Sequence, residues 1–520
     1  MAKRERWATK IGLILAMAGN AIGLGNFLRF PVQAAQNGGG AFMIPYFTAL
    51  LLLGIPLMWV EWGMGRYGGK RGCGTAPGMF DAMWKRSIAK YIGVMGLFLS
   101  SIILIYYTYV ESWTLAFSFF SIAKTYFGQE TFDTMRSFLA SYQGLGEGYF
   151  GSILPAYFLM LLTLGLNLYI LYRGVTKGIE RLALIAMPAL FVFAIILVIR
   201  VITLGTPDPV NFPERSVANG FAFIWNPDLS KLSSSSAWLA AAGQIFFTLS
   251  LGMGCILTYA SYMGENDDIA LGGLSTASLN ETAEVVLGGS IAIPVAVAFF
   301  GVAVTQEIAQ RGAFDLGFVS MPIIFTKIAL GPFMGFLWFL LLFFAGITSS
   351  VAMALPIIAF LKEELGFSQR KAVATVGAVV FIALQFVVFF LGHGFLDEMD
   401  YWAGSFGLVL FALAEVIIFA WIFGMDKGWE EITRGAEIKI PRIFYYIIKY
   451  VTPVYLLFIM SFWLVQDAIP TLLMRDVAPE DQPYRWGARA MMLVILVLLL
   501  VMIRVAWKRR AKRSGLQSES

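Results

Sequence analysis

Cysteine, histidine and charge are all scarce in this chain of 520 residues. Two cysteines, Cys73 and Cys255, exclude a disulfide framework. Cys73 falls in a predicted cytoplasmic loop and Cys255 in an apolar span, so both are expected to be reduced. The single histidine, His393, lies in Gly392-His393-Gly394 and is predicted to sit in an external loop. One imidazole and two separated thiols cannot build a typical transition-metal centre, and His393 is given no catalytic role. Charged residues make up 14% of the chain against 58% hydrophobic, and mean hydropathy is +0.74. A soluble domain of this length needs far more charge to cover its surface. The absence of a nucleophile–base pair argues against a membrane enzyme. The absence of repeated pore loops or charge rings argues against an ion channel.

Long apolar blocks are what the sequence does have. Ile11–Leu28, Phe42–Val60 and Ile92–Tyr109 are early examples. Each can cross about 30 Å of hydrocarbon as a helix, which takes about 20 residues. About a dozen such blocks predict an all-α polytopic membrane protein with about 12 transmembrane helices. They are expected near 11–36, 41–66, 89–123, 150–172, 180–204, 238–262, 268–302, 332–363, 370–392, 397–424, 443–467 and 485–507. The polar segment 205–237 reads as an extracellular loop, and 303–331 as a stretch folding back into the external mouth.

The formal net charge of +5 does not indicate a nucleic-acid partner, because the basic residues are placed by topology. Lys3, Arg4, Arg6 and Lys10 precede the first span, and Lys508, Arg509, Arg510, Lys512 and Arg513 follow the last. Lys70, Arg71, Lys85, Arg86 and Lys90, and later Arg173, Lys177 and Arg181, fall in connecting loops. Basic residues stay on the cytoplasmic side, so both termini are expected inside a cell membrane crossed many times. Arg311, Arg475 and Arg485 fall outside and fit less cleanly. The apolar stretch behind Met1–Lys10 is span length and lacks a clear cleavage site, so it is expected to remain as the first helix.

Two spans look broken. The first holds Gly19-Asn20-Ala21-Ile22-Gly23-Leu24-Gly25-Asn26, and the sixth holds Thr248-Leu249-Ser250-Leu251-Gly252-Met253-Gly254. Glycine weakens a helix by about 1 kcal/mol, and unwound backbone at membrane depth survives only inside protein or beside a wet cavity. Close helix packing is the competing explanation for a lone glycine pair. Here three glycines flank two asparagines. Broken spans in corresponding positions mark the binding site of an inverted-repeat carrier. The repeats are then 11–204 and 238–424, with a 1–10 cytoplasmic N-terminus, two further helices over 425–507 and a basic 508–520 tail.

The run Asn20-Ala21-Ile22-Gly23-Leu24-Gly25-Asn26-Phe27-Leu28-Arg29-Phe30-Pro31 resembles the first-helix signature of the neurotransmitter:sodium symporter family. Gly38–Phe42, Gly243–Ser250 and Ala345–Ser350 resemble further motifs of that family, and the likeness runs from Trp7 to Pro441. The resemblance implies the five-plus-five inverted-repeat fold of the leucine transporter. It also implies sodium-coupled symport of a small hydrophobic amino acid by alternating access, with two co-transported sodium ions. A proton-coupled carrier of the same fold and a receptor that binds without moving its ligand are the rival readings.

The resemblance assigns roles residue by residue. A first sodium falls to Ala21, Asn26, Thr248 and Asn280, and a second to Gly19, Ile22, Ala345, Thr348 and Ser349. Taken alone, Thr348 and Ser349 could simply bond back to their preceding turn. The backbone of Leu24 and Gly25, with the Tyr107 hydroxyl, is expected to meet the substrate carboxylate. Carbonyls of Ala21, Phe247 and Thr248, with Ser250, are expected to meet the ammonium. Ile103, Tyr107, Phe247, Met253, Ser349 and Met353 would line the side-chain pocket. Gly23 stands where monoamine carriers of the family have aspartate, which favours a substrate bringing its own carboxylate. Two methionines suggest an adaptable pocket.

Arg29 and Asp400 resemble the family's external gate pair, closing over Tyr107 and Phe247. Arg4 and Glu363 resemble the internal pair, with Trp7, Ser261 and Tyr262 beside them; Glu363 departs from the family's usual aspartate. Glu284 lies one turn after Asn280. Chloride-dependent relatives have a small neutral residue there, so a carboxylate predicts chloride-independent transport, with protonation of Glu284 on the return step left open. Glu111 is a candidate for packing or a substrate-side role. A dimer is one option for the assembly, which the sequence leaves open.

Overall fold

The computed structural model describes residues 5–227 and 229–517, without the side chains of Lys231 and residues 512–517. Arg4, half of the expected inner gate pair, lies outside the described residues. Among the described residues the chain is helical throughout, with one isolated bridge between Gly39 and Pro227.

The first span is interrupted as expected. Helix α1 (Lys10–Ala21) starts on a Thr9 cap, whose hydroxyl accepts from the Gly12 N–H at 2.9 Å. It ends where Ile22 and Gly23 turn extended; a short turn, Leu24–Phe27, leads into α2 (Arg29–Gln36). Four continuous spans follow: α3 (Gly40–Gly69), α4 (Ala89–Ile122), α5 (Leu154–Tyr172) and α6 (Val175–Ile202).

The segment 205–237, read from the sequence as a loop, contains ordered helix. It carries α7 (Val217–Trp225), capped by the Ser216 hydroxyl. Its Gly220 sits against the Pro294 backbone so closely that an added Cβ would lie 2.4 Å from the Pro294 Cα. Packing on a neighbouring helix, which composition does not reveal, orders this polar stretch.

The sixth span is α8 (Ser235–Thr248) and α9 (Cys255–Ala260), with unwound chain between them. Next come α10 (Ile269–Gln310), kinked at Gly301, and α11 (Gly331–Glu363). Residues 313–327 between them are helical, and Ala313 and Phe314 line the vestibule described below. The last four spans are α12 (Gln369–Phe389), α13 (Phe395–Ile422), α14 (Ile443–Leu472) and α15 (Gln482–Ala511).

Ten helices among the described residues are long and apolar enough to cross a membrane. Together with the two interrupted spans they match the expected number of about 12. Their burial sorts them. In the most apolar stretch of α11, 89% of residues are buried, against 22% in α15. α11 lies along α4 at the centre. α15 exposes Leu493, Val497 and Val501, an apolar surface for lipid rather than water.

At one end Glu180 gathers the N-terminal segment. Its carboxylate accepts from the Ala8 and Thr9 N–H groups at 2.9 and 3.1 Å and from the Thr9 hydroxyl at 3.0 Å. At the same end the buried Arg66 guanidinium binds Glu431 at 2.9 Å. At the other end Arg136 forms a two-pronged pair with Asp315 at 2.7 and 3.1 Å.

Candidate functional site

The unwound chain of the sixth span is dictated by its residues. Ser250, Gly252 and Gly254 have φ of 54°, 69° and 79°. At Gly252 a Cβ would lie 2.2 Å from the Leu408 carbonyl oxygen, and at Gly254 2.7 Å from that of Gly96. Only glycine meets both the left-handed backbone and this close approach. The two breaks meet. The Ser250 hydroxyl donates to the Asn20 carbonyl at 2.8 Å, and the Gly252 N–H donates to Glu61 at 2.8 Å.

Around these breaks the structure gathers most of the residues singled out in the sequence. A small cavity of about 10 Å³ is walled by Asn20, Ala21, Gly23, Gly25, Asn26, Tyr107, Phe247, Ser250, Met253, Ser349 and Met353. Tyr107 accepts from the Leu24 N–H at 3.1 Å, which puts its hydroxyl at the backbone expected to meet a carboxylate. A Cβ on Gly23 would lie 3.0 Å from the Tyr107 hydroxyl and 3.1 Å from that of Ser349, so the space an aspartate needs is already filled. Ile103 is buried but is not part of this wall.

Asn26, Thr248 and Asn280 form one buried cluster with Glu284. Asn26 Nδ2 lies 2.9 Å from Thr248 Oγ1, 2.8 Å from Asn280 Oδ1 and 2.9 Å from Glu284 Oε2. The Thr248 hydroxyl also donates to Glu284. Asn26 Oδ1 accepts from the Gly23 N–H at 2.8 Å, leaving its second lone pair for a cation. Glu284 sits in a π-helical turn, Thr282–Gly288, which turns it toward Asn26. Its other oxygen accepts from Gln244 at 2.9 Å and Tyr46 at 3.0 Å.

At the second predicted ion site, Ser349 Oγ lies 3.3 Å from the Gly19 carbonyl and 3.1 Å from that of Ala345. Thr348 Oγ1 is 3.1 Å from the same Ala345 carbonyl. These hydroxyls donate to helix carbonyls, and a cation would draw on the same oxygens.

Tyr107 and Phe247 also form the floor of a wider vestibule, bordered by Arg29, Asp400, Asp397, Arg311 and Phe314. Arg29 and Asp400 face this space, but the expected gate pair is not formed. Arg29 stacks on the Phe247 ring, its Cζ 4.5 Å from the centroid, and Asp400 accepts from Tyr106 at 2.6 Å. Each charge is satisfied on its own side of an open vestibule. Beneath the cavity the way is closed: Trp7 donates to the Tyr259 carbonyl at 3.1 Å and packs edge-on to its ring. Tyr262 and Ser261 are buried beside it, and Glu363 accepts from the Gly74 N–H at 2.8 Å.

Several residues around the site escaped the sequence reading. Glu61 and Glu415 lie against each other beside the sixth-span break, and a carboxylate inside an apolar span is the signal that finds them. Asn20 stands out in the sequence only as part of a motif. Glu111 accepts from Asn167 at 3.2 Å, and Asn167 in turn accepts from Ser350 at 2.7 Å, so Glu111 packs into α5 and α11 away from the cavity wall.

The description "Sodium:neurotransmitter symporter family" fits residues 4–138 and 145–513. An uncharacterized sodium-dependent transporter of Methanocaldococcus jannaschii is 30% identical over 87% of this chain and 89% of its own length. One from Bacillus subtilis is 30% identical over 80% of this chain and 84% of its own. Among solved structures, MhsT in complex with L-phenylalanine shares 28% identity and a TM-score of 0.75, covering 88% of this chain and 99% of MhsT. The interrupted spans, the buried amide cluster and these likenesses agree: the chain is a sodium-dependent membrane transporter, not an enzyme, and belongs to the sodium:neurotransmitter symporter family.

Proposed function

We propose that this transporter carries an amino acid with a largely apolar side chain into the cell together with two sodium ions, without chloride. The observation that carries the reading is the Asn26–Thr248–Asn280–Glu284 cluster, set where two broken spans meet beside the cavity. Neutral amide and hydroxyl oxygens suit a monovalent ion that must also leave. The first sodium would use Asn26, Thr248, Asn280 and the Ala21 carbonyl. The second would use Thr348, Ser349 and the carbonyls of Gly19, Ile22 and Ala345. The substrate carboxylate would meet the Leu24 and Gly25 N–H groups and Tyr107, and its ammonium the carbonyls of Ala21, Phe247 and Thr248 with Ser250. Sharing the carboxylate with the first ion makes each ligand strengthen the other's binding. Glu284 supplies, inside the protein, the negative charge that an anion would otherwise bring. The MhsT neighbour's L-phenylalanine supports an amino-acid substrate with an apolar body.

The open vestibule and closed base suit the outward-facing member of an alternating-access cycle. In that cycle α2 and α13 approach until Arg29 and Asp400 close over Phe247, and Arg4, Trp7, Tyr262 and Glu363 then part. The repeats are 11–204 and 238–424, with both termini in the cytoplasm.

The test is uptake of labelled amino acids by the purified protein in proteoliposomes. An inward sodium gradient should drive accumulation equally with chloride or gluconate outside. Glu284→Ser should make uptake depend on chloride. Uptake by the unaltered protein that needs chloride, or that persists with sodium replaced by choline under a proton gradient, overturns the reading.

A further inference from the structure

Of the polar side chains on the cavity wall, one among the described residues has no partner. Asn20 is 1% exposed, and neither its Nδ2 nor its Oδ1 is hydrogen-bonded. The others are engaged. Tyr107 takes the Leu24 N–H, Ser250 donates to the Asn20 carbonyl, Ser349 lies against the Gly19 and Ala345 carbonyls, and Asn26 is spent on the Glu284 cluster. Burying an amide without a partner leaves its desolvation uncompensated. The backbone does not use this side chain either: it caps no helix and bonds back to no turn. A leucine or alanine here would pack without that cost. The amide is therefore kept for a group that is not part of the chain.

We propose that Asn20 selects the substrate by hydrogen-bonding a neutral polar group on its side chain. The preferred amino acid then has an apolar body carrying one such group, as in tyrosine, tryptophan or threonine. This rests on the amino-acid reading above, in which Leu24, Gly25, Tyr107 and the carbonyls of Ala21, Phe247 and Thr248 already serve the two charged ends. What remains for Asn20 is the side chain. Met253 and Met353 supply the adaptable apolar surface around it. An amide offers both a donor and an acceptor, so a phenol, an indole N–H or a hydroxyl can each satisfy part of it. A charged side chain is disfavoured, because no opposite charge lines the cavity. A site built around such a bond penalises the isostere lacking it, since the protein's own group is then buried unpaired.

The experiment is calorimetric titration of the purified full-length protein in sodium with three matched pairs: tyrosine and phenylalanine, threonine and valine, tryptophan and 3-benzothienylalanine. In at least one pair the polar member should bind about tenfold tighter or more, the equivalent of one hydrogen bond of about 1.4 kcal/mol. Asn20→Leu should bring that pair to within about threefold, and Asn20→Ala is the second variant should the first not fold. Apolar members binding as well in all three pairs, or a polar preference that survives both substitutions, overturns the proposal. It leaves sodium-coupled amino-acid transport standing. Absence of sodium-dependent binding by all six compounds also overturns this inference, while the amino-acid reading falls only if the uptake assay above finds no amino-acid substrate.

Discussion

Asn26 shows how much one side chain can couple. Its amide reaches Thr248 on α8, Asn280 and Glu284 on α10, and the Gly23 N–H of its own break. Removing it leaves Glu284 short of a donor and the proposed first ion short of an oxygen. Asn26→Ala should weaken sodium and amino-acid binding together, each by about tenfold or more, because hydrogen bonds to charged groups contribute about 1.5–3 kcal/mol. Titrations of each ligand at fixed concentrations of the other would show it; an unchanged apparent sodium affinity would remove Asn26 from the ligand set. At this scale the sequence was informative where a motif fixed the residue. It was silent where tertiary neighbours decide. Tyr46 and Gln244 reach Glu284 from α3 and α8, and no spacing along the chain announces that.

At the scale of the element, the unwound stretch of the sixth span depends on its two glycines. Gly252→Ala places a methyl on the Leu408 carbonyl and forces a left-handed alanine. The expected destabilisation is about 1–3 kcal/mol for the backbone strain alone. Thermal unfolding of the purified protein should shift down, and uptake should fall further than stability does, because the same stretch carries Ser250 and Met253 of the cavity wall. Equal stability and uptake would mean that the break tolerates a side chain. Both broken spans were legible from clustered glycine, asparagine and serine. The helices over 217–225 and 313–327 were not, because their order comes from packing on α10 and around the vestibule rather than from apolar content.

Across the whole molecule, the vestibule is open to one side while Trp7 and Tyr259 close the other. A reporter at its rim should follow the cycle. Ala313→Cys, on the vestibule wall, should react with a membrane-impermeant thiol reagent from outside. Sodium with substrate should slow that reaction severalfold, as Arg29 and Asp400 close toward each other. Labelling only from the cytoplasmic face would invert the proposed orientation. The two native cysteines are buried and leave the background low.

By itself the sequence determined the helical membrane architecture, the positions of the two breaks and the residue types that gather at them. Those are local properties: apolar length, glycine clustering and amides or hydroxyls set among apolar neighbours. Tertiary structure alone decided which charges meet. It kept Arg29 on Phe247 and Asp400 on Tyr106, set Glu61 against the sixth-span backbone, and left Asn20 without a partner. Partnership between buried polar groups depends on distances between helices far apart in the chain, and no run of residues along one helix encodes them.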